Sequence, residues 1–162
     1  MIIRGPLGCG KSTVAAFVAK MIGAEHLSID QILDEGGLKC DWEEGYISQK
    51  SFKEANTLAA VRANVALDKK KPVVFDGNFY WRSQMEDLLN KIKVQPYVFT
   101  LKASLATCIK RDSARTPPHG VDAATAVYQK TMSFEYGIGI DVEKNSAQQA
   151  ANEILKYLPK PL

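Results

Sequence analysis

The sequence predicts an α/β domain in which a five-stranded parallel sheet is covered by helices on both faces, giving three layers. Strand-like and helix-like segments alternate along the 162 residues, the pattern of parallel strands joined by crossover helices. A glycine-rich loop separates the first strand from the first helix. No repeat, low-complexity stretch or linker divides the chain. Residues 1–162 are therefore expected to form a single domain.

The strands are predicted from short apolar runs that end in turn residues. They cover Met1–Arg4, Glu25–Ile29, Pro72–Phe75, Tyr97–Leu101 and Gly137–Val142. The helices are predicted from apolar residues at helical spacing and from capping residues such as Ser146. They cover Lys11–Ile22, Ser51–Asp68, Tyr80–Lys91, Ala103–Arg115, Val121–Met132 and Ser146–Leu158. Ligands are expected at the carboxyl ends of such strands, where the loops gather.

Composition and charge narrow the classes of partner. A net charge of +3 suits an anionic ligand but is small for a nucleic-acid surface, so a nucleic-acid partner is left open and not favoured. No apolar run reaches the ~20 residues that span a bilayer, and no signal peptide precedes the glycine loop, so no membrane partner is expected. Three widely spaced cysteines without zinc-ligand spacing indicate free thiols and a cytoplasmic location.

The glycine-rich loop, residues 5–12, matches the phosphate-binding pattern G-x-x-x-x-G-K-[ST]. Glycines let backbone N–H groups converge on a phosphate, and the positive end of the following helix adds to the attraction. Lys11 is expected to reach the β- and γ-phosphates, and the Ser12 hydroxyl to bind Mg²⁺. A chance match is expected in fewer than about one chain in a hundred. The predicted nucleotide-binding residues are Gly5, Gly8, Cys9, Gly10, Lys11, Ser12 and Thr13.

Cys9 carries a further expectation, because its thiol lies at a helix N-terminus beside Lys11. Both features lower the pKa of a thiol and make it reactive. The sequence thus predicts that alkylating agents inactivate the protein and that ATP protects it. The alternative is a shielded thiol that packs under the loop.

Two carboxylates follow predicted strands at the phosphate end of the sheet. Asp76 is assigned to Mg²⁺, through water, and Asp30 to the hydroxyl of a phosphate acceptor, as general base. The alternative for Asp30 is an N-cap of the turn that follows, and the alternative for Asp76 is the turn chemistry of Asp-Gly.

Two arginines lie four residues apart near the end of a predicted helix. Arg111 and Arg115 are expected to point the same way, and Pro117-Pro118 then breaks the chain. Arginine grips phosphate oxygens with a planar fork, so residues 111–120 are predicted to form a lid over the phosphates. A surface salt-bridge face through Asp112 is the alternative.

With these motifs placed, the chain resembles the small P-loop kinases: nucleoside monophosphate, shikimate and gluconate kinases, and polynucleotide-kinase-like or zeta-toxin-like enzymes. The resemblance covers essentially the whole chain, although only the glycine-rich loop is highly specific. It implies a sheet of order 2-3-1-4-5, ATP and Mg²⁺ as cofactors, and Lys11, Asp30, Arg111 and Arg115 as catalytic residues. It also implies that residues 143–146 contact adenine.

The acceptor is not identified by this resemblance. The run Asp76–Gln84 is similar to the Asp-Gly-Phe-Pro-Arg run of adenylate-type kinases, but Arg82 comes two positions late. It is also similar to the Asp-x-Asn run of polynucleotide-kinase-like enzymes, yet Leu33 stands where that group often has a basic residue. The Gly-Gly-Gly run of shikimate kinases is absent. The segment Gly36–Lys50 is expected to form part of the acceptor wall.

The sequence therefore predicts a kinase that transfers the γ-phosphate of ATP to a hydroxyl, or a phosphate, of an unidentified small-molecule or nucleotide-type acceptor. One alternative is a P-loop ATPase or switch module, which would ordinarily add a second acidic residue after the metal-binding aspartate. Another is a polynucleotide 5′-hydroxyl kinase, which would require a basic, aromatic-lined channel. The choice between ATP and GTP and the oligomeric state are left undetermined.

Overall fold

The fold is taken from a computed structural model that describes residues 1–36 and 40–159. The described residues form seven strands, of which five make one parallel sheet and two make a short hairpin. They are β1 (Ile2–Arg4), β2 (Glu25–Ser28), β3 (Trp42–Glu43), β4 (Tyr46–Ile47), β5 (Val73–Gly77), β6 (Val98–Lys102) and β7 (Ile138–Asp141). The parallel sheet has the order β2-β5-β1-β6-β7. Counted among the five strands of this sheet alone, that order is 2-3-1-4-5, so the predicted order is confirmed. Strand β3 pairs with β4 in a separate antiparallel hairpin.

Seven helices occur in the described ranges, and six of them were predicted, two with the same ends and four with ends that differ by up to three residues. They are α1 (Lys11–Ile22), α2 (Ile29–Glu35), α3 (Gln49–Asp68), α4 (Arg82–Lys91), α5 (Leu105–Ser113), α6 (Val121–Met132) and α7 (Ala147–Leu155). Helix α2 and the β3–β4 hairpin were not predicted. Ser146 caps α7 in a capping box with Gln149, as its position in the sequence indicated.

The sheet is buried on both faces because successive strand residues point to opposite sides. Ile2 and Phe75 pack with α2, α3 and α4 on one face. Ile3 and Val74 pack with α1 and α7 on the other. The long apolar runs of the central strands therefore fill two separate cores, one above and one below the sheet.

The pairing register gathers the loops that carry the candidate site. Ile3 of β1 and Ser28 of β2 are both paired with Asp76 of β5. Residues that follow β1, β2 and β5 therefore emerge together at one edge of the sheet, the edge at which ligands bind in parallel α/β folds. Within the described ranges, no helix has the length and apolarity that crossing a bilayer demands.

Candidate active site

The glycine-rich loop joins β1 to α1 and leaves the start of the helix without a side-chain cap. Gly10 is the N-cap residue, with φ of 91°, and makes no side-chain hydrogen bond to the first turn. Gly8 has φ of 81°, and a Cβ there would lie 2.1 Å from the carbonyl oxygen of Cys108. Only glycine fits at Gly8. The uncapped N–H groups of α1 are the donors that a phosphate requires.

Lys11 lies at this helix start with its side chain only 5% exposed. Its Nζ is 3.9 Å from Oδ2 of Asp30. Asp30 follows the end of β2, as predicted, and lies in the first turn of α2, a helix that was not predicted. Ser28 is the N-cap of that helix and accepts a hydrogen bond from the Gln31 amide. Asp30 is therefore not a capping residue, and its carboxylate faces Lys11.

The environment of Asp30 changes its acidity. Partial burial raises the pKa of the Asp30 carboxyl, and the neighbouring Asp76 and Asp34 act in the same direction. Lys11 and the Asn78 backbone N–H oppose them, but the pKa remains above its ordinary value. A carboxylate whose pKa is raised holds a proton more strongly, and this favours general-base chemistry near neutral pH.

Asp76 is fully buried within β5, so the alternative of an Asp-Gly turn is wrong. The Ser12 hydroxyl donates a hydrogen bond of 2.7 Å to its Oδ1. On its other side, Nε2 of His26 lies 2.5 Å from Oδ2. Sequence reasoning missed His26; its place on β2, the strand paired with β5, was the available signal.

Ser12 and Asp76 fit a magnesium ion by the chemistry of their donors. A hydroxyl and a carboxylate supply the oxygen ligands that Mg²⁺ takes, and Mg²⁺ usually completes its shell with waters and substrate phosphates. Among the described residues, no group of three or more His, Cys, Asp or Glu side chains could hold a metal alone. The ion would thus be held jointly by this pair and a nucleotide.

The two arginines of the predicted lid do not point the same way, because α5 ends at Ser113 and Arg115 lies beyond it. The Arg111 guanidinium donates to the carbonyl oxygens of Cys9, at 3.3 Å, and Val142, at 2.7 Å. Arg115 instead lies near His119, with Nη1 3.4 Å from its Nδ1. Arg111 thus fixes the glycine-rich loop to the end of β7, and Arg115 is left on the cavity side.

Asp112 holds the loop that follows α5. Its Oδ2 accepts hydrogen bonds from the backbone N–H groups of His119 and Gly120, each at 3.0 Å. Burial acts to raise the pKa of Asp112, but these bonds and the His119 ring outweigh it and keep the pKa below its ordinary value. Asp112 therefore organises residues 114–120, and its carboxylate pairs with Nδ1 of His119 at 2.9 Å.

Two cavities flank the glycine-rich loop. The smaller, of about 210 Å³, is lined by Arg111, Asn145 and Ser146 beside Cys9–Val14, and includes part of the segment predicted to contact adenine. The larger, of about 450 Å³, opens beside Lys11 and Asp30 and is bordered by the hairpin, α6 and Arg115. Part of the predicted acceptor wall, Gly36–Lys50, borders this second cavity, whereas residues 37–39 lie outside the described ranges.

The prediction that the pKa of the Cys9 thiol is lowered is wrong. The side chain is 1% exposed, and burial raises the pKa of the Cys9 thiol although Lys11 and Arg111 oppose that rise. Because the thiolate is the reactive form, we expect iodoacetamide to modify Cys9 far more slowly in the folded protein than in urea. Peptide mapping by mass spectrometry measures this. Rapid modification that ATP prevents would contradict the structure.

A glycine-rich phosphate loop, its lysine and a carboxylate at the ends of a 2-3-1-4-5 sheet define a P-loop nucleotide-binding protein. The chain belongs to the P-loop family described as AAA domain, whose model matches residues 1–135. It is also 30% identical over 148 residues to the adenylate kinase of Mycoplasmopsis pulmonis (strain UAB CTIP), a match that covers 86% of this chain and 69% of that protein.

Solved structures share this fold at low sequence identity. A gluconokinase from Sinorhizobium meliloti 1021 has a TM-score of 0.70 and 18% identity, covering 96% of this chain and 88% of its own. A sugar kinase from Janibacter sp. HTCC2649 gives 0.72 and 18%, covering 96% and 91%. Shikimate kinase from Acinetobacter baumannii, in complex with shikimate, gives 0.63 and 20%, covering 96% and 89%. The fold is thus that of small-molecule P-loop kinases.

Proposed function

We propose that this protein is an ATP-dependent kinase that transfers the γ-phosphate to a hydroxyl of a small-molecule acceptor. The observation that carries the proposal is the position of Asp30. Its carboxylate lies 3.9 Å from the Lys11 ammonium and borders a cavity of about 450 Å³ next to the glycine-rich loop. This position supports a role for Asp30 as a base between the phosphate site and a space that can hold an acceptor.

The donor site consists of the glycine-rich loop and the smaller cavity. The loop amides and Lys11 would bind the β- and γ-phosphates. Adenine would lie in the cavity of about 210 Å³ beside Arg111, Asn145 and Ser146. Ser12 and Asp76 would hold Mg²⁺, which neutralises charge on the phosphate oxygens when it is bound.

The transfer step divides the work among three side chains. Asp30 accepts the proton of the acceptor hydroxyl. The oxygen of that hydroxyl forms a bond to the γ-phosphorus. The bond from that phosphorus to the β–γ bridging oxygen breaks, and ADP carries the released charge. Lys11 and Arg115, which both border the cavity, would stabilise the charge on the transferred group.

The other candidate functions explain fewer of these features. An ATPase or switch module could use a base for water, but it leaves the cavity of about 450 Å³ beside Asp30 without a role. A polynucleotide 5′-end kinase would need a cationic channel for the strand, and the net charge of the chain is only +3. The kinase proposal uses both cavities and the Asp30 carboxylate.

The test is acceptor-dependent formation of ADP. Purified protein with ATP and Mg²⁺ is screened against nucleosides, nucleoside monophosphates, sugars, sugar acids, aryl alcohols and 5′-hydroxyl oligonucleotides, and phosphorylated products are identified by mass spectrometry. We expect at least one small-molecule acceptor to gain one phosphate. ADP formation that is equally fast with and without every acceptor would favour the ATPase.

The two arginines should differ when each is changed to alanine. Arg115→Ala should lower kcat about 10–100-fold with little change in the KM for ATP, the equivalent of losing a hydrogen bond to a charged group. Arg111→Ala should raise that KM and lower Tm, because Arg111 also bonds the Cys9 and Val142 carbonyls. Arg62→Ala, on the exposed side of α3, is the control. Equal kinetic effects at both positions would instead support the prediction that both arginines act together in one lid.

A further inference from the structure

The larger cavity has an aromatic wall whose rings pack against one another. The rings of Tyr46 and Phe52 lie 5.4 Å and 5.2 Å from the ring of Tyr80. Trp42 of the hairpin borders the same cavity and is 70% exposed. An exposed tryptophan at the mouth of a cavity offers a large flat surface that one ring-bearing ligand can cover.

Each tyrosine hydroxyl of this wall makes one hydrogen bond within the protein. Tyr46 donates its hydroxyl hydrogen bond to the Ala126 carbonyl at 3.2 Å. The Tyr80 hydroxyl accepts from the Ile47 backbone N–H at 3.1 Å. Lys130 lies 4.5 Å from the ring centroid of Tyr46 and holds it further. The tyrosines therefore offer mainly apolar ring surface to the cavity, which suits a ring better than a polyol.

The charges around the cavity do not favour an anionic acceptor. Among the described lining residues the cations are Lys11 and Arg115, and the carboxylates are Asp30 and Asp34. His119 also lines the cavity, but its Nδ1 is held 2.9 Å from Oδ1 of Asp112. Both cations are required by the nucleotide phosphates in the proposed reaction. Arg82, the arginine of the Asp76–Gln84 run, lies instead 5.0 Å from the ring of Phe134 and does not border this cavity. A phosphate or carboxylate on the acceptor would face two carboxylates.

Polar groups for one end of a ligand are nevertheless present. Asp30 borders the cavity at the phosphate side, and Asn78 borders it close by. The side-chain oxygen of Asn78 is buried without a hydrogen-bond partner among the described residues. A buried side-chain oxygen of this kind costs free energy unless a hydrogen-bond donor reaches it. The cavity volume of about 450 Å³ falls in the usual range for small-molecule sites.

From these observations we infer that the acceptor is an uncharged alcohol with an aromatic or other flat ring. Its ring packs against Trp42 and Tyr46, and its hydroxyl lies at Asp30. The inference rests on the proposed kinase function and adds the chemical class of the acceptor. It separates this cavity from one suited to a sugar acid or a nucleoside monophosphate.

Matched pairs of acceptors test the charge preference. Each pair keeps the ring and a free hydroxyl and differs in one anionic group: methyl 4-(hydroxymethyl)benzoate against 4-(hydroxymethyl)benzoate, and a nucleoside against its 5′-monophosphate. Glucitol and gluconate form a pair without a flat ring. We expect kcat/KM for the uncharged ring-bearing member to exceed that of its anionic partner, and that of glucitol, at least tenfold. A preference for the anionic members, or for the pair without a ring, would overturn the inference.

Two variants test the wall itself. Trp42→Ala should raise the KM for the ring-bearing alcohol roughly 3–10-fold and leave the KM for ATP unchanged, since stacking on the indole is lost. Tyr97→Ala, an exposed aromatic that borders a different cavity, is the matched control. Ala123→Lys adds a cation at an exposed position on the cavity and should reduce the preference for the uncharged partner at least tenfold, whereas Ala123→Gln should not. Unchanged preference in Ala123→Lys would contradict the proposed location of the acceptor.

The result also separates the inference from the proposed function. Phosphorylation of an anionic acceptor that still depends on Asp30 would leave the kinase in place and remove only the acceptor class. ATP binding without phosphorylation of any member of the panel would count against the kinase itself. Circular dichroism and thermal melting of each variant show that the comparisons are made between folded proteins.

Discussion

Lys11→Ala is expected to abolish phosphoryl transfer while the protein remains folded. The Lys11 side chain is 5% exposed and lies at the start of α1, directly after the glycine-rich loop. Loss of a preorganised donor to a developing charge typically costs ~10²–10³-fold in rate, so kcat should fall at least that far. Affinity for ATP should fall as well, because the lysine also binds the ground-state phosphates. Kinetics with isothermal titration calorimetry measure both effects.

Lys20→Ala is the matched control for this experiment, since Lys20 is an exposed lysine on the same helix. Its kinetics should equal those of the wild type. Turnover of Lys11→Ala within a few-fold of wild type would remove the basis of the nucleotide site. A large loss of thermal stability in Lys11→Ala would instead assign the residue to the fold, through its ion pair with Asp30.

Asp30→Asn is expected to lower transfer by ~10²–10⁴-fold, the usual contribution of a general base. Affinity for ATP should change little, because the glycine-rich loop binds the phosphates independently of Asp30. Since Ser28 and not Asp30 caps α2, the variant should melt close to the wild type. Glu35→Gln, an exposed change on the same helix, should leave the kinetics unaltered. Transfer within a few-fold of wild type would exclude Asp30 as the base.

The raised pKa of Asp30 also predicts a pH dependence. If Asp30 is the base, its ionised carboxylate is the active form, so kcat/KM should fall as the pH falls through the pKa of Asp30. Because the pKa lies above the ordinary value of 3.8, this acid limb should appear at a higher pH than an exposed aspartate would give. Asp30→Asn should lack the limb. An identical acid limb in the variant would assign it to another group.

The parallel sheet and the glycine-rich loop could be predicted from the sequence because their signals are local. Apolar runs define the strands, and the loop glycines are required by backbone geometry, as at Gly8, where a side chain would strike the Cys108 carbonyl. Helix α2 was missed because it has only seven residues and begins directly after the last residue of β2. The two-residue strands of the hairpin are too short to give an alternating pattern.

The errors in the candidate site have a different cause: they concern contacts between distant residues. The i, i+4 argument for Arg111 and Arg115 failed because the helix ends before Arg115. The acidity of Cys9 was misjudged because its burial against the core outweighs the nearby charges. The contact of His26 with Asp76 joins residues that are 50 positions apart and follows only from strand pairing.

The central claim is that the γ-phosphate passes to an acceptor hydroxyl with Asp30 as base. The fate of the label from γ-³²P-ATP tests it most directly, in wild type and Asp30→Asn, with the best acceptor found. For the wild type we predict that the label moves to the organic acceptor in amounts equal to the ADP formed. For Asp30→Asn we predict ATP binding without that product. Label recovered only as inorganic phosphate, at equal rates in both proteins, would contradict the account.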